Sequence, residues 1–152
     1  MDTKVPALTL FVDAVKLAGN NLFVDAINKF LDITHLYADS DLADDALFNA
    51  GLCHFHLNSF AVATNIFRSV INDYPAADIY TYGNCREHGK TAAKCHYAII
   101  NCYLGLGQPE NAITELMELS KYPDSYIESE IGEKIAFVEL AKRAVDTYQN
   151  LT

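Results

Sequence analysis

The chain has 152 residues, of which 51% are hydrophobic and 20% charged, a composition typical of one globular domain and not of a disordered chain. Its formal net charge of −9 argues against nucleic acid, because binding phosphates requires a concentrated basic patch. The same charge disfavours attachment to anionic lipid and makes a basic or an apolar partner easier to accommodate. Its apolar runs are shorter than a membrane span, so we expect no membrane insertion.

The N-terminus and the cysteines bear on the compartment. Residues 1–6 carry an acidic residue and a proline before the first apolar stretch, which is not typical of a secretory signal. Three of the four cysteines lie at core-like positions of predicted helices, which favours reduced thiols. We therefore expect a cytoplasmic protein, with the bacterial periplasm as the alternative for a mature chain whose signal has been removed.

Two helix pairs are predicted in the first half of the chain. Apolar residues at helical spacing indicate one pair over residues 7–40, with a turn signal at Gly19-Asn20-Asn21. A second pair over residues 41–75 turns at Leu57-Asn58-Ser59. A shift of 37 residues carries the first pair onto the second, and it aligns Ala26 with Ala63, Ala14 with Gly51, Phe30 with Phe67 and Tyr37 with Tyr74. Small residues at such positions let two helix backbones approach closely.

Asp44 and Asp45 begin the second pair. They are either a catalytic pair of carboxylates or charges that compensate the dipole of a solvated helix start, and we favour the second interpretation.

The regular spacing breaks after Pro75. Ala63 and Ala112 are 49 residues apart, 12 more than the first shift, which places an insertion at residues 76–92. Its glycines disfavour a continuous helix, so we expect an excursion or a broken helix. Loops of this length are often functional.

A third pair and a final helix complete the prediction. The third pair spans residues 93–125 and carries Ile100 where Gly51 and Ala14 are small, which predicts a splayed or differently registered pair. Ser125 and Glu128 have the spacing of a capping box, which predicts a last helix over residues 126–150. This helix caps the array or forms the seam of a homodimer.

The central unit resembles the tetratricopeptide repeat, a helix–turn–helix unit of about 34 residues. The closing Tyr-Pro motifs at residues 74–75 and 122–125 further resemble the subgroup found in envelope assembly proteins of bacteria. The resemblance implies an all-α superhelix of about seven antiparallel helices, with residues 1–152 as a single domain. It also implies a non-enzymatic adaptor that binds a partner protein or peptide in a concave groove, without a cofactor.

Groove positions of that family are carried over from the first helix of each repeat. They correspond here to Phe11, Val15, Phe48, Leu52, Phe55, Tyr97 and Asn101. Phe11 and Val15 stand where the family's carboxylate clamp has a lysine and an asparagine, so that clamp is not implied. Aromatic residues at helical spacing are also common in cores, so the groove is either open or filled by the protein itself. A self-associating assembly subunit, in which the groove is buried against a second copy, is the alternative to an adaptor.

One alternative from another class is a small metal-binding protein. Four soft ligands lie in or beside the insertion, namely Cys85, His88, Cys95 and His96. Cys95 and His96 are adjacent, so on a helix they point about 100° apart, which is unsuitable for one metal. We therefore prefer the interpretation in which the cysteines are small core residues, and we expect no metal.

Overall fold

The computed structural model describes residues 4–81 and 83–151, so residues 1–3 of the N-terminal segment, Tyr82 of the predicted insertion and Thr152 of the predicted domain lie outside it. The described residues form helices α1 (Lys4–Gly19), α2 (Phe23–Leu36), α3 (Ala43–His56), α4 (Phe60–Asp73), α5 (Thr91–Gly105), α6 (Pro109–Leu119) and α7 (Phe137–Leu151), and strands β1 (Glu87–His88), β2 (Tyr126–Glu128) and β3 (Lys134–Ala136). Each helix packs against the next one along the chain, and α7 packs against both α5 and α6. The predicted all-α superhelix of seven helices is confirmed for the described residues.

The turns within the helix pairs fall where the sequence predicts them. Asn21 follows α1 and Asn58 follows α3, with φ angles of 61° and 59°. Asparagine tolerates this left-handed conformation better than most residues because its short side chain is polar. Pro109 takes the first position of α6, where its missing N–H is not needed. These residues therefore reverse the chain and set consecutive helices antiparallel.

The packing of α3 on α4 depends on Gly51. A Cβ atom on this glycine would lie 2.6 Å from Cε1 of Phe67, whose ring is fully buried. In the third pair the larger Ile100 replaces Gly51, and the smaller Leu116 stands 49 residues after Phe67. Both lie in or against one apolar cluster, and α5 and α6 pack along their length as α3 and α4 do. The predicted splaying is therefore wrong, because the two exchanges of volume offset each other.

The insertion is an excursion, as expected, and it folds back on itself. The N–H of Ile79 donates to the carbonyl of Gly89 at 2.8 Å, and the N–H of Thr91 donates to Ala77 at 3.0 Å. Ile79 is buried in the same cluster as α5, α6 and α7. The excursion ends in strand β1, which pairs with β2 in an antiparallel three-stranded sheet of order β1-β2-β3.

The predicted start of the last helix at residue 126 is wrong. Residues 126–136 form the β2–β3 hairpin, with Ile127 opposite Ile135, and the helix begins only at Phe137. Ser125 caps no helix; its hydroxyl accepts the N–H of Lys90 at 3.0 Å and so ties the hairpin to the insertion. Ile131 lies at the hairpin tip and is 88% exposed, so it does not belong to the apolar stripe of the helix.

Helix α7 covers the end of the array. Phe137, Ala141 and Val145 are buried one or more turns apart and pack against the apolar residues of α5 and α6. In the described part of the chain, the helices lack the combination of length and apolar character that crossing a bilayer requires.

Candidate functional site

The first helices of the second and third pairs form a common cleft. Five of the predicted groove residues line it, namely Phe48, Leu52 and Phe55 of α3 and Tyr97 and Asn101 of α5. The cleft has a volume of about 410 Å³. Its opposite wall consists of Ile127 from β2 and of Phe137 and Leu140 from α7. The cleft is therefore an apolar trough between α3 and α7, with α5 along its floor.

The structure does not bring the remaining two predicted residues to this cleft. Phe11 is only 4% exposed, and its ring meets that of Phe30 edge to face at a centroid distance of 5.6 Å. It belongs to the core between α1 and α2, so its assignment to an open groove is wrong. Val15 is exposed on α1 but does not line the cleft.

The far wall of the cleft was missed by reasoning from the sequence. The helix predicted over residues 126–150 includes both Ile127 and Leu140, whereas they come from a strand and from a helix that starts later. The alternation of Tyr126, Ile127 and Glu128 is compatible with a strand, but β2 is only three residues long. A signal this short does not reveal its pairing with β1, which lies about 40 residues earlier in the chain.

One end of the cleft carries a buried cation. The amino group of Lys94 lies 3.0 Å from Oε2 of Glu87, 3.3 Å from Oδ1 of Asp45 and 4.3 Å from the centre of the Phe48 ring. Burial alone would lower the pKa of Lys94, but the charges of Glu87 and Asp45 outweigh this effect and raise it. Lys94 therefore stays protonated and holds strand β1 against α3.

Asp44 and Asp45 are buried, so the interpretation of a solvated helix start is wrong. Oδ2 of Asp44 accepts the hydroxyl of Thr91 at 2.6 Å, and Oδ2 of Asp45 accepts the backbone N–H of Tyr80 at 2.9 Å. Burial raises the pKa of Asp45 to about 6, although the charge of Lys94 opposes the shift. Burial also raises the pKa of Asp44. These carboxylates attach the insertion and α5 to α3.

A second buried network joins α4, α5 and α6 outside the cleft. The guanidinium of Arg68 donates to both oxygens of Glu115, at 2.8 and 2.6 Å, and Nδ1 of His96 lies 2.6 Å from Oε1 of the same carboxylate. Burial would raise the pKa of Glu115, but the hydrogen bonds from His96 and Arg68 outweigh it and lower the pKa. The buried carboxylate of Glu115 is thus bonded to the half-buried Arg68 and to His96, an arrangement that holds α4, α5 and α6 together.

The four soft ligands of the alternative metal site are not gathered. His96 is engaged with Glu115, and His88 stacks on Tyr126 at a centroid distance of 5.0 Å. Cys95 is fully buried, which raises the pKa of its thiol far above the ordinary value. Among residues 4–81 and 83–151, no three His, Cys, Asp or Glu side chains are placed to hold a metal ion. The alternative site built from Cys85, His88, Cys95 and His96 is therefore wrong.

A second cleft of about 490 Å³ lies between the start of α3 and the insertion. Its lining includes Asp39, Asp41, Asp44 and Asp78, beside Tyr74 and Tyr80. Burial, followed by the nearby Asp44, Asp73 and Asp39, raises the pKa of Tyr74. We place the candidate site in the apolar cleft instead, because its lining converges from three helices and two strands and offers desolvated surface for a partner.

Comparison with known proteins bears on the helix pairs. The family model of the tetratricopeptide repeat matches residues 45–77 and 94–125, which cover α4 and α6 in full and all but the first residues of α3 and α5. A search of the curated proteins finds no match. The family model thus matches two successive segments of the chain, and the arrangement of helix pairs is consistent with that family.

Proposed function

We propose that the chain is a non-enzymatic interaction module that binds a segment of a partner protein in the apolar cleft between α3, α5 and α7. Tetratricopeptide repeats generally mediate protein–protein interactions. One observation carries the proposal to this site: residues of both matched repeats converge there with Ile127, Phe137 and Leu140 from outside the repeats. Side chains such as Leu52, Phe55 and Tyr97 remain partly exposed in the cleft, so they offer apolar area that a partner can bury.

The size of the cleft indicates how much of a partner enters it. A volume of about 410 Å³ accommodates one or two large apolar side chains, and the rest of the segment then lies over the rim. Asn101 lies in the cleft, where its amide nitrogen donates to the carbonyl of Tyr97 at 3.1 Å and its second N–H and its oxygen can bond to a bound backbone. The site therefore suits a short peptide with an apolar anchor.

A selection from a random peptide library tests the proposal. Peptides of 12 residues are selected on the immobilised protein, and a selected peptide is titrated into labelled protein while amide resonances are recorded. We expect shifts at Leu52, Tyr97 and Asn101. We further expect Leu52→Ala to weaken binding about tenfold, because truncating a central apolar contact costs over about 1 kcal/mol.

The control is Leu36→Ala, which removes the same atoms from an exposed position of α2. Both variants are compared with the parent protein by thermal unfolding, so that only folded protein enters the comparison. Equal effects of the two variants on affinity would contradict the proposal, as would resonance shifts confined to α2, α4 and α6.

The apolar stripe of the last helix is buried within the chain, which removes the basis for a homodimer through that helix. Phe137, Ala141 and Val145 pack within the chain and offer no seam to a second copy. We therefore do not propose a homodimer through that helix. A homodimer that buries the apolar cleft between two copies is the alternative to a different partner, and light scattering at working concentration separates the two, since a monomeric protein would contradict the homodimer.

A further inference from the structure

We propose that the partner segment bound in this cleft is basic, with a lysine or arginine beside its apolar anchor that pairs with Glu87. This inference rests on the proposed function and adds the charge of the partner to it. It follows from the way the charges at one end of the cleft are arranged and from the net charge of −9 of the whole chain.

The charges at this end of the cleft do not balance. Lys94 faces the carboxylates of both Asp45 and Glu87. One cation therefore stands between two anions. Asp45 also accepts the N–H of Tyr80, so it is occupied within the protein.

Exposure decides which sign the cleft presents to a partner. The side chain of Lys94 is 7% exposed, whereas that of Glu87 is 38% exposed. The cation is thus turned inward and neutralised, while the carboxylate of Glu87 reaches solvent on the cleft wall. A cationic side chain gains attraction there, and an anionic one meets repulsion from a partly desolvated carboxylate.

The apolar lining complements this charge. Phe48, Phe55 and Tyr97 line the same cleft as Glu87, so a partner side chain with a long apolar stem and a cationic head contacts both features at once. Lysine and arginine have that form. Electrostatic complementarity of this kind selects among partners and speeds their encounter.

Three matched peptides test the inference. Acetylated and amidated nonapeptides share a central Leu-Phe-Leu sequence and carry two lysines, two glutamines or two glutamates on its flanks, with glycine and serine elsewhere. Affinity is measured by calorimetry at low salt and again at about 0.5 M salt, where charges are strongly screened. We expect the lysine peptide to bind about threefold to fivefold more tightly than the glutamine peptide at low salt, and the glutamate peptide to bind least tightly.

The variant Glu87→Gln locates the effect. Glutamine keeps the shape of the side chain and Lys94 keeps its contact with Asp45, so the cleft wall remains in place. We expect the preference for the lysine peptide to fall to near one in this variant. The control Glu110→Gln makes the same change of net charge at an exposed residue of α6 that does not line the cleft. This variant should retain the preference for the lysine peptide.

Three outcomes would overturn the inference. Equal affinity of the three peptides would do so and leave the proposed function standing. The same loss of preference in both variants would show attraction to the net charge of the chain and not to Glu87. If none of the three shifts the cleft resonances while a library peptide does, the cleft accepts another chemistry; if the library peptide fails as well, the proposed function itself is wrong.

Discussion

Asp45 and Lys94 show how single positions distinguish the two matched repeats. Asp45 and Lys94 are the first residues of the two matched segments. They lie 49 residues apart, so they occupy equivalent positions in successive repeats. One repeat carries an anion there and the next a cation, and the two meet at 3.3 Å in the interior. The ion pair thus joins neighbouring repeats at equivalent positions, and Tyr80 and Glu87 attach the insertion to the same pair.

The raised pKa of Asp45 makes its contribution to stability depend on pH. The pKa is about 6 in the folded protein and about 3.8 in the unfolded chain, because burial penalises the charged form. Between about pH 4 and 6 the folded state therefore binds more protons at this residue, and its contribution to the free energy of unfolding falls as pH rises. Asp45→Asn removes this dependence. We expect the free energy of unfolding of the variant minus that of the parent to rise by about 2–3 kcal/mol across this window.

Urea unfolding followed by circular dichroism at pH values from 4 to 8 measures this difference. Glu115 has a lowered pKa and acts in the opposite direction, but it is present in both proteins and cancels in the subtraction. The change in hydrogen bonding to Lys94 adds an offset that is constant with pH. A difference that stays flat between pH 4 and 6 would show that Asp45 titrates as an exposed carboxylate.

At the scale of helices and strands, local patterns predicted most of the fold. These local signals are of three kinds. They are the small residues Ala14 and Gly51, the aromatic rings that follow the small residues of the partner helices by one turn, and the turn residues at 19–21 and 57–59. The resemblance to the tetratricopeptide repeat, through its groove positions, named five of the residues that line the cleft. The error at residues 126–136 has a different origin: Ser125 and Glu128 satisfy the spacing of a helix cap, but the hydroxyl of Ser125 bonds to Lys90 across the fold.

That error explains why the far wall of the cleft was not predicted. Strand β2 is held by partners on both sides, and one of them, β1, comes from the insertion. Pairing over this distance depends on where α4, α5 and α6 place the chain, not on the residues of β2 alone. Gly89 shows the same dependence, because its φ of 112° and its close approach to Cα of Ser125 allow no side chain.

The exchange of volume between helix pairs yields a test of the packing at Gly51. Gly51→Ala improves helix propensity by up to about 1 kcal/mol but places a methyl group against the buried ring of Phe67. We expect a net loss of about 1–2 kcal/mol in the free energy of unfolding, because overpacking a core costs about 1–3 kcal/mol. Chemical unfolding of the folded variant measures this loss.

The double variant Gly51→Ala with Phe67→Leu supplies the control. It imitates the third pair, in which Leu116 accompanies the larger Ile100, so the two changes should be less damaging together than the sum of their separate effects. Additive losses would contradict this account. Gly19→Ala at the exposed end of α1, where an added methyl group meets nothing within 4 Å, should not destabilise the protein through packing.

For the whole molecule, the central problem is the apolar face that a stack of helix pairs leaves at its end. In this structure α7 covers that face by packing on α5 and α6. The hairpin links α6 to α7 and pairs with the insertion. The same two elements form the far wall of the cleft. The element that closes the core at this end therefore also shapes the binding surface, which couples the stability of α7 to the proposed function.

The variant Val145→Asp tests this coupling. Val145 is 5% exposed and packs in the cluster shared by α5, α6 and α7, so an unpaired carboxylate there costs about 3 kcal/mol or more. We expect α7 to detach, the melting temperature to fall by more than about 5 °C, and light scattering to show association through the uncovered apolar face. The same charge at Thr147, which is exposed on α7, should change neither quantity appreciably.

Because Phe137 and Leu140 belong to the detached helix, affinity for a peptide selected on the parent protein should be lost with it. A variant that keeps both the melting temperature and the light scattering of the parent protein would contradict the role of α7 as a cover.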